Sequence, residues 1–159
     1  MDYDLSVAIG RQPDAVYALL ADVQRYIHHP GSPIPQMEKL PDGPTTVGTR
    51  WREVVRLAPF VTMTVWSEVT AAEPGRRLDL TFRGPGMTGS IVYSIEPSDG
   101  GCVLRQRETL TPHGPLRLVA GPMERILAPR LRQRLEDIRQ LLEREGEGRG
   151  ESVSGDQPG

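Results

Sequence analysis

The chain has 159 residues, of which 37% are hydrophobic and 25% charged, with a formal net charge of −2. That length suits one domain with a real core, and that balance excludes a globally disordered polymer. No basic excess points to nucleic acid as a partner, and no apolar run approaches the roughly 18 residues that would cross a bilayer, so no stable membrane insertion is expected.

Residues 3–9 alternate Tyr3, Leu5, Val7 and Ile9 with smaller or polar side chains, the pattern of a half-buried strand. The first ten residues hold two aspartates and no basic stretch, so they do not read as a secretory signal, and the expected address is the cytoplasm. Pro13 suits a first helical position and Asp14 the positive end of a helix dipole, which predicts a short helix over 13–21. A second short helix is expected over 22–28, ended by Pro30, Pro33 and Pro35.

From residue 35 the period changes from 3.6 to 2. A weak strand at 36–41 precedes the turn Pro41-Asp42-Gly43-Pro44. Strands are then expected at 48–57, 60–71, 77–83, 88–96 and 102–110. Their apolar faces are Trp51, Val55 and Leu57; Val61, Met63, Val65 and Val69; Leu78, Leu80 and Phe82; Ile91, Tyr93 and Ile95; and Leu104 with Leu110. Short turns between consecutive strands mean hairpins and an antiparallel meander, and one-sided alternation means that one face is covered. The cover is the last element, where Val119, Met123, Ile126, Leu127, Leu131, Leu135, Ile138 and Leu142 recur at helical spacing. Its firm part is expected over 122–144, with a kink or restart at Pro129. The fold class is therefore α+β, a curved antiparallel sheet of six or seven strands wrapped around a long C-terminal helix. One domain is expected over 1–145, followed by a disordered tail at 146–159, where Gly, Glu, Ser and Pro cannot bury enough apolar surface to offset ordering.

The stretches Pro13 to Asp22, Gly43-Pro44 leading to Val47-Gly48-Thr49-Arg50-Trp51, Glu73-Pro74-Gly75-Arg76-Arg77-Leu78 and Pro97 to Gly101 are turn and packing signatures. With the element order, they resemble the START-like, or Bet v 1-like, superfamily in its polyketide cyclase/dehydrase and lipid-transport branch. The resemblance covers residues 3 to about 144. It implies a helix-grip fold with a cavity between sheet and C-terminal helix, holding a small hydrophobic molecule such as a polyketide or lipid. Where many relatives have an aromatic residue this chain has His28-His29-Pro30, and where a threonine is common it has Cys102.

The informative positions are polar residues on apolar faces. Parity turns Glu53, between Trp51 and Val55, toward the core, and does the same for Gln106 and Glu108 before Leu110. A buried carboxylate is paired, protonated or part of a site. One reading makes Glu53 or Glu108 a general acid or base, with Tyr93 as a phenolic donor, as an aldol-type cyclisation or dehydration needs. The other makes each glutamate structural, clasped by an arginine such as Arg83 or Arg107, or sets it at a cavity mouth open to water. Trp51, Met63, Met123 and Leu127 complete an apolar lining, and the same stripe is what any core looks like. His28, His29 and His113 stand in no metal-ligand spacing, the single Cys102 permits neither an internal disulfide nor a Cys-rich metal site, and no phosphate loop follows Gly84-Pro85-Gly86. No metal or cofactor is expected. Arg125, Arg130, Arg132, Arg134 and Arg139 are mixed with Glu124, Glu136, Asp137 and Glu143, which reads as a solvated helix face rather than a nucleic-acid stripe.

The sequence thus supports a carrier or binding protein for a hydrophobic small molecule, since a carrier needs no catalytic constellation. Its first rival is a polyketide aromatase/cyclase or dehydrase using cavity carboxylates, and its second a protein-interaction module. Oligomeric state stays open.

Overall fold

The structure, a computed structural model, describes residues 1–22, 34, 36–58 and 60–150. In chain order it has β1 (Asp2–Ile9), α1 (Pro13–Ala21), β2 (Gln36–Leu40), β3 (Arg50–Ala58), β4 (Val61–Glu73), β5 (Arg77–Gly84), β6 (Met87–Ser98) and β7 (Gly101–Pro112). A 3-10 turn (Gly114–Val119) then leads into α2 (Ala120–Gly150). The seven strands form one sheet in the order β1-β7-β6-β5-β4-β3-β2, with every neighbouring pair antiparallel. This is the expected fold class.

The short helix falls where Pro13 and Asp14 place it. Pro13 opens it without wasting a donor, and Val16, Tyr17, Leu19 and Leu20 are buried. The second short helix expected over 22–28, with His28 and His29, lies outside the described residues.

Alternation holds through the sheet. Trp51, Val69, Leu78, Leu80, Ile91, Tyr93, Ile95, Cys102 and Leu104 share one core with Leu135, Ile138 and Leu142 of α2. A second cluster joins Tyr3, Leu110 and Leu131, with Leu127 packed against it. The register slips between Arg56 and Ala58 and again between Val69 and Ala71, so both bulges lie beyond Glu53 and leave its parity intact. Val61 departs from expectation: it is exposed. The pairing of β4 with β5 begins only at Trp66, so the β3–β4 hairpin outruns its neighbours and nothing among the described residues covers its tip.

The terminal helix also differs from its sequence outline. It passes through Pro129 without a break, and its buried stripe starts near Leu127 and Leu131. Val119 and Ile126 fit the period but are exposed, with no described element packed over them. At the other end the helix runs past the 144 expected for its firm part and continues to Gly150, so 146–150 are helical. The reason is a contact that composition does not reveal. Arg11, just after β1, donates through Nη1 to the Leu142 carbonyl at 2.6 Å. Its guanidinium lies where a Cβ on Gly146 would stand, so glycine at this position lets the arginine in. Residues 151–159 lie outside the described residues. Arg11→Ala is expected to cost about 1–2 kcal/mol, the worth of one partly buried charge-assisted hydrogen bond. Urea unfolding followed by circular dichroism measures it, and an unchanged midpoint would show that the helix end docks without this arginine.

No helix among the described residues is long and apolar enough to cross a membrane.

Candidate functional site

The polar residues of the inner face come from opposite wings of the sheet. Glu53 stands on β3 and Gln106 and Glu108 on β7, four strands away in sheet order. Curvature brings the two wings toward α2. Glu108 is opposite Ile91 and Gln106 opposite Tyr93, so apolar and aromatic surface surrounds them. Glu108 is buried, Glu53 is half-buried, and Trp51, Tyr93 and Gln106 are almost fully enclosed. Parity thus places Trp51, Glu53, Tyr93, Gln106 and Glu108 on the face that it predicts. Met63, Met123 and Leu127 are half-buried, Leu127 against the second apolar cluster.

The hydrogen bonds of this face are few. Ser67 Oγ donates to Glu53 Oε1 at 3.2 Å, and Gln106 Nε2 donates to Glu108 Oε2 at 2.6 Å. Burial pushes both carboxyls above the ordinary value of 4.5. The charge of Arg134 opposes that rise at both, aided by Ser67 at Glu53 and by Gln106 at Glu108. One guanidinium on α2 therefore serves two carboxylates on different strands. Its Nε is buried.

Arg134 departs furthest from the sequence reading, which places it with Arg125, Arg130, Arg132 and Arg139 on a solvated face. The first three of those four companions are exposed or half-exposed, and Arg139 pairs with Glu136 and, at 3.2 Å, with Glu143. Arg134 is different because it lies three residues after Leu131 and four before Ile138, both buried. That spacing was the available signal. Neither arginine expected to clasp the glutamates does so. Arg107 turns outward to Asp4 at 3.3 Å, and Arg83 faces outward on β5. Ser67, opposite Trp51, is the other participant that sequence reading passed over.

Two polar atoms on this face have no hydrogen-bond partner among the described residues: the Trp51 indole Nε1, a donor, and the Gln106 Oε1, an acceptor. Leaving such groups unmet costs about 1–3 kcal/mol each. Cys102 is fully buried and burial raises its thiol, so it is a packing residue rather than a nucleophile. His113 lies at the sheet's end with Nε2 2.8 Å from Thr88 Oγ1. No group of three or more His, Cys, Asp or Glu side chains among the described residues is arranged to hold a metal ion.

The comparisons with known proteins agree with this fold. The family described as polyketide cyclase / dehydrase and lipid transport matches residues 2–143. Among solved structures, the chain is similar to Ara h 8.0201, with 15% identity, 89% of this chain and 97% of that one covered, and a TM-score of 0.70. It is similar to a protein from Rhizobium leguminosarum at 12% identity, with 91% and 95% covered and a TM-score of 0.73. A polyketide-cyclase-like protein from Corynebacterium glutamicum aligns at 25% identity over 92% and 94% of the two chains, with a TM-score of 0.62. The comparison with curated proteins gave no match. With the seven-stranded sheet, the long closing helix and a family match over nearly the whole described chain, this protein belongs to the polyketide cyclase/dehydrase and lipid-transport family.

Proposed function

We propose that the protein binds and carries a small hydrophobic molecule, a lipid or a polyketide, between the inner face of the sheet and α2. The observation that carries this reading is the buried Trp51 Nε1 and Gln106 Oε1, a donor and an acceptor without hydrogen-bond partners among the described residues, on a face that also carries Leu80, Ile91 and Tyr93. A ligand with a carbonyl and a hydroxyl would meet both, while its apolar body replaces contacts among Leu80, Ile91 and Leu135. Ligand entry then requires α2 to shift from the sheet, because Trp51 and Gln106 are closed over.

The second reading is catalytic. Glu53 and Glu108 have carboxyls raised by burial, and such groups hold a proton at a pH where an ordinary carboxylate has lost it. A protonated and an ionised carboxyl on opposite wings would suit a cyclisation or dehydration, with Tyr93 opposite Gln106 on the same face.

Titrating the full chain with 1-anilinonaphthalene-8-sulfonate, then displacing it with fatty acids and aromatic polyketides, tests the first reading. Displacement by one class is expected, and Gln106→Leu should weaken that ligand roughly 2- to 10-fold, the worth of one hydrogen bond. Failure of every member to displace the probe would remove the carrier reading. Conversion of a linear poly-β-ketone by the wild type, lost in Glu53→Gln or Glu108→Gln with binding retained, would establish the catalytic one.

A further inference from the structure

One shaped depression among the described residues is not on the inner face. It is a trough of about 690 Å3 on the outer face of the sheet. Two rows of side chains make its walls. Register aligns Arg50, Glu68, Thr81, Ser90 and Thr109 across β3 to β7 as one row. Two residues away on each strand, Trp66, Arg83, Thr88 and Thr111 align as the other. Residues two apart share a face and stand roughly 6–7 Å from each other, so the rows flank a furrow that crosses the strands. Between the rows, Phe82 turns inward and Gly89 has no side chain. The Phe82 ring fills the place where a Gly89 Cβ would stand, and the floor of the furrow is therefore backbone. Five strands at ~4.8 Å spacing give a trough roughly 19 Å long.

The wall residues of this trough carry hydroxyl and charged groups apart from Trp66, while carbon atoms of the side chains and backbone make up more of its surface than nitrogen and oxygen do. Thr81, Ser90 and Thr111 make no side-chain hydrogen bond among the described residues, so their hydroxyls are available as donors and acceptors. Arg50 and Glu68 form a 2.9 Å ion pair that presents further donors and acceptors. Arg83 makes no ion pair among the described residues and leaves the walls with one cation in excess. Trp66 is 37% exposed and stands in register between Arg52 and Arg83. A half-exposed indole offers a flat apolar platform, and a sugar ring presents the matching flat C–H face with hydroxyls around its edge.

We infer that this trough is a second binding site, separate from the sheet–helix face, and that it takes a short acidic oligosaccharide. The elongated furrow selects a chain over a compact ligand. Hydroxyl-bearing walls select a polyhydroxylated chain over an apolar one. The surplus arginine selects a carboxylated chain, which a guanidinium binds in bidentate fashion. A single-stranded nucleic acid fits less well: such sites combine a strongly basic groove with several stacking aromatics, whereas this one has a single tryptophan flanked by Arg52 and Arg83.

The chain's two tryptophans make the test direct, since Trp66 lines the trough and Trp51 is buried on the opposite face. Full-length protein is titrated with tetragalacturonate as the probe, by calorimetry and by tryptophan emission, with maltotetraose as the neutral control. Tetragalacturonate is expected to bind, to perturb Trp66 emission, and to bind more tightly than maltotetraose. Trp66→Leu should weaken binding by about tenfold or more, and Arg83→Gln should remove most of the preference for the acidic chain, an effect of about tenfold. Both positions face outward, so thermal melts of the variants should match the wild type. Either absence of binding at millimolar tetragalacturonate, or binding unchanged in both variants, overturns the proposal. Tighter binding of an oligothymidylate of equal charge overturns it in favour of nucleic acid. None of these outcomes bears on the inner-face ligand, whose displacement assay stands alone.

Discussion

Replacing Arg134 by methionine is expected to cost about 2–3 kcal/mol at pH 8, below the ~3–5 kcal/mol of breaking a fully buried pair because Glu53 and Arg134 keep some contact with solvent. Glu53 and Glu108 both lie under its charge, and both carboxyls are already raised by burial. Methionine retains the apolar stem but leaves two desolvated carboxylates with only Ser67 and Gln106 as donors. The pH dependence follows from proton linkage. A carboxyl whose folded pKa lies above its unfolded one binds its proton more tightly when folded. Its contribution to stability is therefore fully present below the unfolded value near 4.5 and is lost as pH rises through the raised folded value. Without Arg134 the folded values climb further, so the loss with rising pH becomes larger. The variant should approach the wild type near pH 4.5 and fall away from it toward pH 8. Adding Glu53→Gln and Glu108→Gln to the Arg134→Met chain should restore much of the lost stability at pH 8, since it removes the charges that the arginine compensates. Urea denaturation at both pH values, completed as a mutant cycle, measures the coupling. An equal cost at both pH values, with no rescue, would mean that Arg134 acts by packing alone.

The carboxylates were legible in the sequence and their counter-charge was not, for a physical reason. Strand parity needs only two neighbours, and Trp51 and Leu110 fix the faces of Glu53 and Glu108. Both bulges lie beyond Glu53, so the count never slips before it matters. On a helix, the apolar stripe is drawn from apolar residues, and an arginine within it is assigned to solvent by composition. Its aliphatic stem nonetheless lies within the stripe of Leu131, Leu135 and Ile138 while its charge acts on Glu53 and Glu108. Periodicity also fixes direction without fixing coverage. Val61 and Ile126 obey their periods and are exposed, because no described element covers them. The outer trough was illegible for a further reason. Its walls exist only once register sets Arg50 beside Glu68 and Trp66 beside Arg83, and single-chain alternation contains no register. Likewise, the last helical turns depend on Arg11, more than a hundred residues away in sequence, and a Gly-rich composition cannot report such a partner.

Gly101→Ala is expected to be among the most damaging single-methyl additions in the chain, costing about 2–3 kcal/mol, the upper part of the range for overpacking. Gly101 opens β7 beside the end of β1, where Cys102 pairs with Ile9. A Cβ there would lie 2.1 Å from the Ile9 carbonyl oxygen and 3.0 Å from both the Arg11 nitrogen and the Gly10 Cα. All three are backbone atoms, so no side chain can turn aside, and β1 itself must move away from β7. The damage should spread, because the same few residues anchor the helix. Gly10 N donates to Glu143 Oε1 at 3.2 Å, and Arg11 holds the Leu142 carbonyl. Moving the end of β1 therefore loosens the C-terminal part of α2, whose Ile138 and Leu142 are nearly fully buried in the main core. At roughly 2–4 °C per kcal/mol for a domain of this size, the melting temperature should fall by about 4–12 °C. Hydrogen exchange should speed in the α2 amides around Leu142 more than in those of β5, which sits at the centre of the sheet and touches neither glycine. Gly100→Ala is the matched control. Gly100 has φ of +77°, and a Cβ added to it would meet nothing within 4 Å, so its penalty is only the strain of a left-handed backbone, about 1 kcal/mol. A Gly101→Ala protein as stable as wild type, or no more damaged than Gly100→Ala, would mean that β1 and the helix end are not locked together at this corner.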